Sequence, residues 1–202
     1  VRTMWDREIT AMFDGAGDFI RRPLQCGALT LMTYAIDGLT SGGDISDFVF
    51  KPISQQLRGT TMQELYENAL SGGIYNSVAD PCPDPETAAK KLVNGFCVVL
   101  FPEVGAIAFE AKTSDKRSPA PPEVENTVKG AKDGFVETVR SNTSLIRRHL
   151  RSPKLRFSES TVGRRSLTNV SVVWLEGVTN RELVRKMERR LKTIDIDGFL
   201  SP

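Results

Sequence analysis

Gly130–Leu200 reads GAKDGFVETVRSNTSLIRRHLRSPKLRFSESTVGRRSLTNVSVVWLEGVTNRELVRKMERRLKTIDIDGFL, and this stretch decides the fold. Asp133 stands at a helix cap with Glu137 in the first turns, and Arg147, Arg148 and Arg151 crowd the other end, as the helix dipole favours. Phe135, Val139, Ile146 and Leu150 form one apolar stripe with Asn142 inside it, and Ser152-Pro153 stops the helix. Leu155 and Phe157 alternate with Arg156 and Ser158, which predicts a half-exposed strand. Gly163–Ser166 turns the chain into Asn169–Leu175, where Val170, Val172 and Trp174 alternate. Asn180 caps a second helix with Leu183, Val184, Met187 and Leu191 inward, and Thr193–Ile196 returns as a strand. Helix, strand, strand, helix, strand makes a small α/β unit.

Upstream, the opening through Gly17 has apolar residues at helical spacing, and Phe19–Pro23 and Gly27–Ile36 read as strands. Asp44 caps a helix carrying Ile45, Phe48 and Val49 that ends near Pro52. Thr61 caps another, with Leu65, Tyr66 and Leu70 inward and Gly72-Gly73 as its stop. Asp84 and Pro85 open a third. FCVVLF at 96–101 is a continuous apolar run, as in a strand covered on both faces, and Pro102–Gly105 turns it into a hairpin with Ala106–Ala111. Thr113–Val128 is rich in Ser and Pro and poor in apolar residues. The expected organisation is α/β: two small α/β lobes, 1–112 and 129–202, joined by a Pro/Ser-rich linker at 113–128.

The 202 residues suffice for one domain or two small lobes, able to bury roughly 70% of the unfolded surface. An apolar fraction of 40% and a charged fraction of 26% are those of an ordinary globular chain, and a net charge of +2 gives no global argument for nucleic acid. Cys26, Cys82 and Cys97 lie far apart with no CxxC pair, which predicts reduced thiols rather than a disulfide or metal site. No run of about 18 apolar residues is present. The start at Val1 and the stop at Pro202 read as the soluble portion of something longer.

His149 is the one histidine, so neither a histidine-based metal cluster nor a Ser/His/Asp triad is expected. Asp195–Gly198 resembles half of a calcium loop without its acidic twelfth position and reads instead as a turn. No phosphate-binding glycine motif occurs, and no metal or cofactor is expected. Arg140, Arg147, Arg148, Arg151, Lys154, Arg156, Arg164 and Arg165 face only Glu159 in their interval. Such a cluster suits an anionic lipid surface or a partner subunit. The favoured reading is a solvated helix end and hairpin, with some arginines paired to the acidic first lobe. Nucleic acid is disfavoured because no aromatics interleave with the arginines. Asn142 needs amide partners, either from the following loop, from the other lobe or from a ligand. The candidate ligand or partner contacts are Asn142, Arg147, Arg148, Arg151, Arg164 and Arg165.

The segment from Gly130 resembles the A-subunit family of spore germination receptors, the GerA family. The matching pieces are Gly134-Phe135, Glu137, Asn142, Leu145-Ile146-Arg147-Arg148, Pro153, Gly163, Ser166, Glu176-Gly177, Arg190-Leu191 and Ile194–Gly198. A looser likeness covers Gly27–Pro52. Ala131, Thr138 and His149 depart from the usual pattern and leave the subgroup open, including a related sporulation membrane protein. The resemblance implies a cytosolic domain at the core-facing side of the spore inner membrane, preceding membrane helices. It also implies receptor B and C subunits as partners, a homo-oligomer in the full-length protein, and no catalysis. The expected function is receptor assembly and signal transmission. The alternative is a small-molecule (amino acid or sugar) sensor with a pocket between the lobes, where Asn142 and Arg147 could hold a zwitterionic amino acid.

Overall fold

The computed structural model describes residues 3–56, 60–73, 78–111 and 134–198. The expected linker at 113–128 and the cap at Asp133 lie outside them. The first lobe opens with α1 (Met4–Met12), then β1 (Phe19–Cys26) and β2 (Leu29–Ile36). It continues with α2 (Gly42–Ile45), α3 (Met62–Asn68), β3 (Ala79–Cys82), α4 (Pro85–Val93), β4 (Phe96–Phe101) and β5 (Gly105–Glu110). Its five strands form one antiparallel sheet in the order β1-β2-β4-β5-β3.

Strand alternation explains why β4 is buried along its whole length. Phe96, Val98 and Leu100 point to one core with Ile9 of α1, Phe13 just after it and Leu92 of α4. Cys97, Val99 and Phe101 point to the other, with Ile45, Val49, Ile53 and Leu65. The sheet is thus covered by helices on both faces, as the FCVVLF run predicts. The three cysteines are free and buried. Burial raises all three thiols, Cys82 to about 11 and Cys97 to about 12.

Thr61 and Glu64 form a capping box at α3, and Asp84 caps α4 with Pro85 in its first turn. The N-cap of α2 is Ser41 rather than Asp44, whose backbone N–H Ser41 accepts. The helical path also continues past Pro52, as wide π-type turns at Ser46–Phe50 and Pro52–Gln56. That wider register relieves the clash a proline ring makes with the preceding turn. β3 was not expected: ADPC carries a proline and no alternation, which suits only a sheet edge.

Asp84 also gives a pH test. The Thr87 N–H donates to its Oδ1 at 2.6 Å, and this bond holds the carboxyl below its usual range. A lowered folded pKa stabilises the fold while the group is ionised. The contribution is complete above the unfolded value of about 4 and is lost as pH falls through the folded one. Asp84→Asn keeps the cap oxygen and removes the charge. Its melting temperature should lie below the parent's at neutral pH and converge with it in acid. A gap that persists unchanged at low pH would contradict the charge argument.

The second lobe contains α5 (Val139–His149), β6 (Leu155–Val162), β7 (Thr168–Leu175) and α6 (Arg181–Thr193), with β6 and β7 in an antiparallel pair. Four expectations change here. First, α5 begins at Val139 with Thr138 as N-cap, so Glu137 lies outside it. Both ends of the Asn142 amide bond Val136, its N–H and its carbonyl, at 2.7 Å, which ties down the segment before the helix rather than the loop after it. Second, the buried face of α5 is Ser144, Leu145 and Arg147, while Phe135 and Leu150 of the expected stripe are exposed. Third, only Val184 of α6 is buried; Leu183 and Met187 are exposed. Fourth, 194–196 is not a strand. The Ile196 and Asp197 carbonyls instead accept N–H bonds from Arg164, Arg165 and Ser166 in the hairpin turn.

Candidate functional site

The junction of the two lobes is where charged side chains converge. The loop after α1 runs alongside β6: Ala16 bridges Phe157, and Gly17 N–H donates to the Phe157 carbonyl at 3.3 Å. A Cβ on Gly17 would sit 2.9 Å from that same oxygen, so glycine permits the approach. Asp18 follows at once, just before β1.

Arg147 reaches Asp18 from α5. Its Nε and Nη2 donate to the two carboxylate oxygens at 2.9 and 2.7 Å, a bidentate pair. Nη1 donates to the Ser152 carbonyl at 2.8 Å and Nη2 also to the Leu155 carbonyl at 3.3 Å. The guanidinium lies 5.0 Å over the Phe157 ring, and the whole residue is buried. Burial raises the Asp18 carboxyl, and the Arg147 charge opposes that rise. Arg156 was expected on an exposed strand face. It is buried instead, because it donates to the Pro153 carbonyl at 2.5 Å and to the Met12 carbonyl at 3.1 Å. The same burial lowers its pKa.

Around this centre, Arg140 pairs with Asp37, and Arg151 Nη1 donates to Asn94 Oδ1 at 3.0 Å. Ser144 of α5 sits against Gly38 of the first lobe. Arg148 is half-buried, and His149 is exposed. At the far end of the hairpin, Arg164 bonds Asp195 at 2.5 Å, and Arg165 is exposed. Arg140, Arg147 and Arg151 therefore meet first-lobe partners, whereas Arg164 pairs within its own lobe.

Beside the junction lies an open groove of about 450 Å³. Gly15, Ala16 and Gly17 form one wall; Ser158, Trp174, Arg181, Arg185 and Glu188 supply its polar and aromatic groups. Arg181 stacks 5.7 Å over Trp174 and reaches Glu176 at 3.3 Å. Asn142 and Arg147 do not line this groove. The sequence reading missed Asp18, Trp174 and Gly15–Gly17 as junction residues; the glycines flanking Ala16 were the available signal. Among the described residues, no group of three or more His, Cys, Asp or Glu is placed to hold a metal ion, and no helix is long and apolar enough to cross a membrane.

The family model described as Bacillus/Clostridium GerA spore germination protein matches residues 7–202. The chain belongs to the GerA family. Stage V sporulation protein AF of Bacillus subtilis (strain 168) is 27% identical over 170 residues, 84% of this chain and 34% of that protein. Spore germination protein GerLA of Bacillus cereus is 36% identical over 110 residues, 54% of this chain and 22% of that protein. The chain thus spans about a third or less of these GerA-family relatives. The crystal structure of the N-terminal domain of the A subunit of the Bacillus megaterium spore germinant receptor GerK3 has the same fold. Its TM-score is 0.70 at 17% identity, over 96% of this chain and 72% of that one.

Proposed function

We propose that this chain is the N-terminal domain of a germinant receptor A subunit, acting in receptor assembly and signal transmission during nutrient-triggered germination. The observation that carries the reading is the family match over residues 7–202 on a fold shared with the GerK3 A-subunit domain. The bidentate Arg147–Asp18 pair supports it, because it couples the lobes as one body suited to relaying a displacement. In this reading the lobe boundary falls in 113–128, and the domain lies on the core-facing side of the spore inner membrane. Its partners are the receptor B and C subunits and further copies of itself. Arg148 and Arg165 remain candidate contacts to a subunit or to anionic lipid. The domain itself is not an enzyme. The test is affinity isolation of the full-length protein from solubilised spore membranes, followed by light scattering. Recovery of B and C subunits with a multimeric A subunit is expected; a strict monomer without either subunit would overturn the reading.

The groove favours one second reading, a small-molecule sensor. Its volume is in the range of ligand pockets, and Arg185 and Glu188 offer opposite charges to a zwitterionic amino acid. Thermal unfolding against amino acids, sugars and nucleosides decides the matter. A ligand at a hundredfold over its dissociation constant contributes about 2.7 kcal/mol, a shift of roughly 5–10 °C for a chain of this size. Sensing at the groove requires a saturable shift that disappears in Glu188→Gln. A flat panel would leave the domain as an assembly and relay element alone.

A further inference from the structure

Asp6 of α1 is buried, and it takes partners from the sheet. Arg21 of β1 spans both of its carboxylate oxygens, Nε to Oδ1 and Nη2 to Oδ2, each at 2.8 Å. The Tyr34 hydroxyl of β2 donates to Oδ1 at 2.8 Å as well. Arg21 and Tyr34 are cross-strand partners, and Phe19 lies on their face of the sheet, two residues before Arg21. The two strands thus fasten α1 through a charge. An Asp6 carboxylate displaced from these partners would lie uncompensated against an apolar core, so the helix has little freedom to slide.

Rings on the same face carry the connection onward. Tyr34 stacks on Phe19 with 6.0 Å between centroids and 12° between planes. Phe19 stacks in turn on Phe13 at 4.7 Å and 6°. Phe13 caps the end of α1 and Phe19 opens β1, so the stack holds both ends of the loop at 14–18. The second lobe grips the chain at the two adjoining positions. Arg156 donates to the Met12 carbonyl, next to Phe13, and Arg147 clamps Asp18, next to Phe19. Both arginines are buried. A ring in a close-packed stack cannot tilt without moving its neighbours, so a shift at Tyr34 reaches both gripped residues.

We infer that the Asp6–Arg21–Tyr34 network and the Tyr34–Phe19–Phe13 stack form a conformational relay that sets the orientation of the second lobe through residues 12–18. The inference rests on the signal-transmission reading above and gives it a path inside the chain. Tyr34 and Phe19 are positioning residues in this path, because they act on the second lobe only through the residues that Arg147 and Arg156 hold.

The test is the relative orientation of the lobes in the 202-residue chain, from residual dipolar couplings of the backbone amides, with hydrogen exchange at Gly17. One alignment tensor should fit both lobes of the parent. Tyr34→Phe keeps the ring and removes the donor to Asp6; Phe19→Leu breaks the stack and keeps the hydrogen bonds. In each, the second lobe should need its own tensor, and the Gly17 N–H, bonded to the Phe157 carbonyl, should exchange about threefold faster or more. Val99→Ala, which opens a cavity in the core on the other face of the sheet, should leave both readouts at the parent's values. A shared tensor with unchanged Gly17 exchange in either folded variant overturns the relay. So does equal decoupling by Val99→Ala, or a parent that already needs two tensors. Each of these failures removes the relay and leaves the recovery of receptor subunits to decide the assembly reading separately. Tyr34→Phe removes a single hydroxyl and keeps the relay testable if Phe19→Leu fails to fold.

Discussion

Arg147→Ala should lower the stability of the chain by about 3–5 kcal/mol, the range for breaking a buried ion pair by removing one partner. For a protein of this size that is roughly 6–20 °C in melting temperature. The loss is large because truncation strands several groups at once. Asp18 loses both of its guanidinium bonds, and the Ser152 and Leu155 carbonyls lose a donor. The Asp18 side chain keeps only 14% of its surface exposed, so water replaces the guanidinium poorly. Arg147→Lys should also fail, since an ammonium cannot span both carboxylate oxygens and the two carbonyls from one position. Adding Asp18→Leu to Arg147→Met removes the stranded charge and should recover part of the loss. Denaturant unfolding measures each case. An Arg147→Ala loss below about 1 kcal/mol, the level of an exposed pair, would show that the latch contributes little.

Gly38→Ala should cost about 2–4 kcal/mol from two separable causes, a left-handed backbone and overpacking. Gly38 has φ +82°, and a Cβ there would overlap the Ser144 Oγ of α5. Ser144→Ala in the Gly38→Ala background removes the overlapping oxygen and should restore about 1–3 kcal/mol, leaving the backbone strain. If the second change restores nothing, α5 does not press on this turn, and the contact between lobes is looser than the structure shows. The pair thus probes lobe packing without touching a charge.

Much of the local structure was legible because its signals are short-ranged. Thr61, Asp84 and Asn180 each sit three or fewer residues from the N–H they cap, so a window of four letters suffices to find them. FCVVLF announced a strand buried on both faces, and the two core clusters divide its side chains by alternation. The junction was not legible in the same way. Arg147 looks like one more basic residue at a helix end until Asp18, 129 positions earlier, is brought beside it. Arg156 obeys strand alternation, yet the face it occupies is closed by a loop from the other lobe. Asn142 was marked as an amide needing partners, but the partner was the preceding segment, and that choice delayed the start of α5. For α6, periodicity identified an apolar flank but could not say whether anything covers it.

The chemistry of the three cysteines has a practical consequence. Held in the first-lobe core and kept as thiols by burial, Cys26, Cys82 and Cys97 present little nucleophilic thiolate near neutral pH. A maleimide or a nitroxide reagent would therefore discriminate strongly in favour of a cysteine placed on the surface. Lys90→Cys on one lobe and Lys192→Cys on the other would accept a pair of spin labels with the native thiols left in place, and the spread of their separation would report how firmly the lobes move together.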